Sequence, residues 1–294
     1  MRYTLRQLEV FLAIAQAGNL TRAATQLNMS QSAASSALKD LESQFDLLLF
    51  DRVGKRLQLS DRGQQLRPTA ERLMAMADDL EQSLLNNTST GPLDIGATLS
   101  IGNYLAVQMV ARFKTLHPDS PITLDVENTE HIAERVLNFE LDIGMIEGEF
   151  QHPQLDIRPW RQDEMTVFCS PDHPLAEAGK LTDEQLVATE WILRETGSGT
   201  RQAFDRAMSG LLPKMNIALE LQHTEAIKRA VQANLGVGCL SLMTLQDELD
   251  SGRLVRLDVP GRDLTRTLYL ILHKQKYHSM GIQAWISLCE EWSS

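Results

Sequence analysis

The sequence predicts an α/β protein built from two unequal units joined by a long helix. Three observations carry this. Beyond Pro92, strand-like and helix-like segments alternate over roughly two hundred residues, which implies a largely parallel sheet covered by helices, with enough chain for two lobes. Before that, residues 1–60 read as three short helices and a hairpin. Between the two, Leu66, Ala70, Leu73, Ala77, Leu80 and Leu84 recur at alternating steps of four and three. That is a heptad seam rather than the broader face of a globular helix.

The first helix, LRQLEVFLAIAQAG, places Leu5, Leu8, Phe11, Leu12 and Ile14 at helical spacing and ends at Gly18, a C-cap by type. TRAATQLN reads as a second helix capped near Thr21, and Ser30 as the N-cap of a third, QSAASSALKDLESQF. LLLFDRVGKRLQLS reads as two short strands about the basic turn Val53-Gly54-Lys55. In the heptad helix, residues 61–86, Pro68 in the second turn predicts a kink or a shortened regular stretch. A lone helix of this kind gains little in water, so it implies a partner. The first choice is a second copy meeting at Leu66, Leu73, Leu80 and Leu84; packing on the chain's own second domain is the alternative. NNTSTGP, residues 86–92, is a linker by composition.

In the larger unit the expected strands are LDIGA, PITLDVEN, LDIGMIE, MTVFCS, EWILRE, IALELQ, GVGCLSL and LTRTLYLILH. The helices between and after them are IGNYLAVQMVARFKTLH, EHIAERVLNFE, TRQAFDRAMSG, EAIKRAVQAN and GIQAWISLCEEW.

Charge is unevenly placed. Residues 1–60 hold Arg2, Arg6, Arg22, Lys39, Arg52, Lys55 and Arg56 against five acids, whereas the whole chain is 28 basic to 39 acidic, net −11. A small polyanion-binding end on a larger acidic body fits that asymmetry. The three cysteines, Cys169, Cys239 and Cys289, are far apart and odd in number, which predicts reduced thiols and no metal-ligand spacing. No stretch approaches the roughly 18 apolar residues of a membrane span, and a cytoplasmic protein is expected. The catalytic sequence motifs are missing, from the Gly-x-Ser-x-Gly elbow to the Walker loop and His-Glu-x-x-His. Ser36-Ala-Leu-Lys39 matches Ser-x-x-Lys but lacks its companion motifs, so no enzyme is expected.

The third helix is the informative one. Ala34, Ala37, Leu38, Leu41 and Phe45 form one face, while Ser32, Ser35, Ser36 and Lys39 form another, with Gln31 in the first turn. Small side chains permit close approach, and Gln and Ser can bond base edges or phosphates, so the helix suits entry into a major groove N-terminus first. Arg52, Lys55 and Arg56 on the hairpin would hold the backbone without reading sequence, and Thr21 and Arg22 on the preceding helix are further DNA-binding candidates.

These sixty residues closely resemble the LysR-type transcriptional regulators. The matching landmarks are the LxxFxxIAxxG pattern of the first helix, TRAAxxLxxSQSAxSxxLxxLE across the next two, and LFDRxGKRLxLSxxG at the hairpin. The resemblance implies a winged helix-turn-helix (1–60), a linker helix for dimerisation (61–86) and a two-lobed α/β effector domain of the periplasmic-binding-protein type (92–294). Lobe I would hold 92–161 and 267–294, and lobe II 162–266. It also implies a homodimer, commonly a homotetramer, on promoter DNA, contact with RNA polymerase, and Gln31, Ser32, Ser35, Ser36 and Arg52 as DNA contacts. Ser32 and Ser36 stand where many relatives carry Pro and Arg; without that Arg a guanine-reading group is missing.

Three segments of the larger unit place hydroxyls and free backbone N–H groups at helix starts: Thr98 and Ser100; Thr196, Gly197, Ser198 and Thr200; His223 and Thr224. Helix N-termini at the carboxyl ends of strands favour anions, although each hydroxyl also serves as an ordinary N-cap. The expected ligand is a small anion between the lobes, with no other cofactor. TLSIGNY and RETGSGTR resemble the subgroup tied to sulfur assimilation and sulfite response, which makes sulfite or a related oxyanion the specific guess. Glu147 and Glu195 would oppose an anion unless paired, with Arg194 or Arg201 the nearby candidates. An organic carboxylate or aromatic acid, or a ligand with an amine, stays open, as does a binding protein without DNA function.

Overall fold

The computed structural model describes residues 2–53, 56–85 and 89–293. The head consists of α1 (Leu5–Ala17), α2 (Leu20–Gln26), α3 (Gln31–Phe45) and the antiparallel hairpin β1 (Phe50–Val53) with β2 (Arg56–Leu59). Thr4 and Gln7 close a capping box on α1, and Gly18 ends it at φ +59°. The cap of α2 is Asn19 rather than Thr21: its side chain accepts from the N–H groups of Thr21 and Arg22. Ser30 caps α3 as expected, accepting from Ala33 N–H. Ala34, Leu38 and Leu41 join Phe11, Ile14 and Phe50 in one core, while Phe45 at the end of the α3 face remains exposed.

Helix α4 (Asp61–Leu84) runs 24 residues straight through Pro68, about 36 Å at 1.5 Å per residue, so Pro68 does not end it. The helix starts hard against the head. A Cβ on Gly63 would sit 2.2 Å from the Leu49 carbonyl oxygen, and Ala70 is buried in the head's core. The 86–88 part of the predicted linker lies outside the described residues.

The larger unit is one twisted sheet in two halves. Lobe I carries β3 (Leu93–Thr98), β4 (Ile122–Glu127) and β5 (Ile143–Glu147); lobe II carries β7 (Glu190–Arg194), β8 (Asn216–Leu221) and β9 (Val237–Ser241). Two strands, β6 (Leu155–Cys169) and β11 (Thr265–His273), pair with each other and link the halves, giving the order β4-β3-β5-β11-β6-β9-β7-β8. The short β10 (Val255–Leu257) adds to the far end of β6.

The sheet is mixed, not largely parallel. β3, β4 and β5 pair in parallel, as do β7, β8 and β9, but every pairing of β6 and β11 is antiparallel. Helices cover both faces: α5 (Val107–Leu116), α6 (Thr129–Leu137) and α11 (Met280–Glu291) on lobe I, and α7 (Asp183–Ala188), α8 (Gly199–Ala207), α9 (Thr224–Gln232) and α10 (Gln246–Asp250) on lobe II. The lobe I core is centred on Phe113 and Trp285, and a lobe II core on Trp191 and Phe204. A π-helical turn, Ile101–Ala106, connects β3 to α5; such turns recur at functional sites.

Candidate DNA-reading face and effector cleft

On α3 the side chains of Gln31, Ser32, Ser35, Ser36 and Lys39 all point to solvent, beside the exposed Thr21 and Arg22 of α2 and Arg52 of β1. Among the described residues Arg22, Lys39 and Arg52 make no ion pair with an acid of the chain, so their charge is available to a polyanion. Glu42, by contrast, accepts from the Leu49 N–H at 2.7 Å and ties α3 to the hairpin. Lys55 lies outside the described residues, as does the side chain of Arg56.

On α4 the predicted seam is uncovered where it leaves the head. Leu66 and Leu73 are about two-fifths exposed, and Leu80 and Leu84 reach 61 % and 76 %. Ala70, between them, faces the chain's own core instead.

The cleft between the lobes is built around a carboxylate. Glu147, the last residue of β5, and Arg266, second in β11, are each 1 % exposed and bonded at 2.5 Å. Arg266 also binds Asp163 of β6 at 2.6 Å, and Asp163 accepts from Ser241 Oγ at 2.8 Å. The Glu147 carboxylate further accepts from the Ser100 N–H at 3.0 Å and from Thr200 Oγ at 2.7 Å. Burial pushes this carboxyl's pKa up, but Arg266, Thr200 and Ser100 outweigh burial and hold it down to about 2. Burial also opposes the Arg266 charge, and the two acids more than restore it, raising its pKa. The result is an anion clasped by donors from both lobes.

Of the predicted cleft residues, the structure brings Ser100 and Thr200 together on Glu147, with Ser198 capping α8 by accepting from Thr200 N–H at 3.2 Å. Thr98 and Thr224 are buried, and their hydroxyls have no hydrogen-bond partner among the described residues. Thr196 and Gly197 line a cavity of about 390 Å³ between the lobes, opposite Thr129 and Glu130. His223 stands exposed at the start of α9 and makes no cap bond, so it is not part of the clasp. Glu195 pairs with Arg194 at 2.8 Å, and Arg201 with Asp205 and Glu220; neither arginine bonds Glu147, although the charge of Arg194 helps to lower its pKa.

Arg266 bonds Glu147, and the sequence reading passed over it. The missed signal was its parity: Arg266, Leu268 and Leu270 share one buried face of β11, and a charge in that register needs a buried partner. The segment carrying Ser100 reaches lobe II a second time, where Tyr104 OH accepts from Lys228 Nζ at 3.1 Å.

A helix-turn-helix head with free cations, coupled by a helix to a two-lobed domain with a buried polar clasp and a cavity between its lobes, defines a ligand-responsive DNA-binding protein. Residues 5–64 match the bacterial regulatory helix-turn-helix protein family of the lysR type, and residues 86–294 match the LysR substrate binding domain. The chain belongs to the LysR family of transcriptional regulators. It is 43 % identical over 290 residues to an HTH-type transcriptional regulator of Escherichia coli, YeiE, itself described as uncharacterized, covering 99 % of this chain and 98 % of that protein. A full-length OxyR of Pseudomonas aeruginosa shares the fold with a TM-score of 0.74 at 21 % identity, over 98 % of this chain and 95 % of that one. The regulatory domain of Synechocystis CcmR in complex with 2-PG matches with a TM-score of 0.64 at 26 % identity, covering 69 % of this chain and 98 % of that domain. The family consists of DNA-binding regulators, not enzymes. Among the described residues no helix is long and apolar enough to cross a membrane.

Proposed function

We propose that this regulator is switched by a small anion bound between its lobes, with sulfite or a related sulfur oxyanion as the specific candidate. One observation carries the reading: Ser100 N–H, Thr200 Oγ and Arg266 converge on a single buried carboxylate. Donors so arranged suit any compact oxyanion, and the effector gains them by displacing Glu147. Two helix starts, those of α6 and α8, face the adjoining cavity through Thr129 and Ser198; helix starts favour negative charge, although Asn128 and Ser198 cap one N–H each and Glu130, Glu149 and Asp205 line the same cavity.

Sulfite at millimolar concentration then raises the melting temperature of the full chain, by about 2.7 kcal/mol of stabilisation at a hundredfold excess over its dissociation constant. Ser100→Ala and Thr200→Ala weaken that shift. No shift with sulfite, sulfate or thiosulfate removes the sulfur reading. A second reading, an organic carboxylate or aromatic acid, is favoured by the cavity itself: about 390 Å³ falls in the range of organic ligand pockets and exceeds what one oxyanion fills. A panel of such acids in the same melt decides between them.

The DNA reading face works on promoter DNA in a cytoplasmic homodimer or homotetramer, joined along the exposed Leu66, Leu73, Leu80 and Leu84, and its output is contact with RNA polymerase. Binding to the chain's own upstream DNA falls steeply as salt rises, because phosphate contacts release counterions. Salt-insensitive binding would count against this face.

A further inference from the structure

Phe139 sits where a glycine belongs. Helix α6 ends in a closed turn, with the Phe139 N–H donating to Val136 O at 3.1 Å and the Glu140 N–H to Arg135 O at 2.9 Å. That bond pair normally has glycine or asparagine in its left-handed position. Among the described residues the other non-glycine positions with positive φ are Asn28, Asp46 and Asn234, types that tolerate it; Phe139, at φ +56°, is the bulky exception. A strained residue persists only where its surroundings hold it.

What holds Phe139 is its ring. The Arg67 guanidinium lies 5.7 Å from the ring centroid and the Lys276 ammonium 5.9 Å, both within cation–π range. The His273 ring packs at 4.2 Å between centroids. Arg67 also donates to the carbonyl of Asn138, at the end of the same helix. Arg67 belongs to α4, which is locked to the head by Gly63 and Ala70. At its other end α6 touches the cleft: Thr129 Oγ donates to the Glu147 carbonyl at 3.0 Å. One helix of nine residues, about 14 Å long, therefore has the carboxylate clasp at one end and the linker helix at the other.

We propose that α6 is the rod, and the Arg67–Phe139 contact the joint, through which the state of the cleft reaches the DNA-reading head. The ring on a strained backbone turns a small displacement of α6 into a displacement of α4, because the contact is made across the turn rather than along a flexible chain. The proposal rests on the cleft being the responsive site. It is tested without any effector, so failure of sulfite to bind leaves the test standing.

Glu147→Gln perturbs the clasp directly. In the full-length chain it changes affinity for the chain's own upstream DNA about fivefold or more and alters amide exchange of residues 64–72. Phe139→Gly removes the ring while keeping the turn that glycine prefers, and Arg67→Met removes the charge while keeping the stem; each leaves DNA binding itself in place. In either background the effect of Glu147→Gln on DNA affinity falls below about twofold, and the change in exchange disappears. The same fold-change in all three backgrounds overturns the proposal. So does a Glu147→Gln chain with unaltered DNA affinity and exchange, since the cleft would then not reach the head.

Discussion

Replacing Arg266 by Met tests the electrostatic account of the cleft most directly. Arg266 is bonded to Glu147 at 2.5 Å and to Asp163 at 2.6 Å, with 1 % of its side chain exposed. Its loss leaves two carboxylates in the interior, and stranding one partner of a buried pair costs about 3–5 kcal/mol. The titration of Glu147 gives a second measure. Its folded pKa of about 2 against an ordinary 4.5 corresponds to roughly 3 kcal/mol.

The sign follows from the direction of the shift. A depressed folded pKa contributes stability above the unfolded value, here 4.5, and that stability is lost as pH falls towards 2. In Arg266→Met the compensating charge is gone, burial dominates, and the folded pKa of Glu147 rises above its unfolded value. The variant therefore regains stability on acidification relative to the parent; His173, His273 and His278, whose pKa values burial lowers, cost both chains alike as pH falls and cancel in the difference. Melts of the full chain at pH 7 and pH 5 read this out. The expected deficit at pH 7 is about 10 °C, from roughly 2–4 °C per kcal/mol for a domain of this size, and it shrinks at pH 5. Adding Glu147→Gln to Arg266→Met recovers part of the deficit at pH 7. An equal deficit at both pH values would refute the reasoning and make Arg266 a packing residue.

Leu80→Glu places a charge on the exposed stretch of α4; it is expected to dissociate the oligomer in sedimentation while leaving the far-ultraviolet spectrum unchanged. Arg52→Ala should weaken binding to every DNA sequence alike and reduce the salt slope by about one, whereas Gln31→Ala should alter base preference, both read by titration against randomised operators. Gly63→Ala forces a Cβ against the Leu49 carbonyl at 2.2 Å. Overpacking of this kind costs about 1–3 kcal/mol, expected as a lower melting temperature of the head and weaker DNA binding.

The head was readable because its signals are local. The Ser30 cap, Gly18 and the apolar period of α1 and α3 each act within a few residues. Even the misplaced cap of α2 lay only two positions away, at Asn19. The effector domain was harder. β6 reads LDIRPWRQDEMTVFC; Leu155 to Arg158 alternate as a strand should, but Pro159 and the polar run Arg161 to Glu164 break the pattern, so the first ten residues look like a loop. Their partners on β11 lie roughly a hundred residues later, so the antiparallel joint between the lobes left no local trace. Sequence proximity also misled at the cleft. Arg194 and Arg201 were near the suspected hydroxyls, but the counter-ion of Glu147 comes from residue 266, 119 positions away, through strand order alone.

The filled clasp also limits how the switch can behave. With Ser100, Thr200 and Arg266 already bonded to Glu147, an effector gains only the difference between its own bonds and those of the carboxylate it replaces. A ligand shifts a two-state equilibrium only by such differential interaction, so a tight resting clasp implies a modest affinity and a sharp discrimination among anions. The displaced carboxylate must also find a new partner or a proton, since an unpaired charge at that depth is costly. An effector that brings a proton or a cationic group relieves that cost; a fully charged, aprotic anion does not. Within one charge class, then, anions that carry an exchangeable proton at the pH of the assay should bind more tightly than those that carry none. Glu147→Gln, which removes the charge to be rehoused, should erase that preference in a calorimetric comparison of two dianions, hydrogen phosphate, which carries a proton, against sulfate, which carries none. A preference that survives the substitution would place the discrimination elsewhere in the cleft.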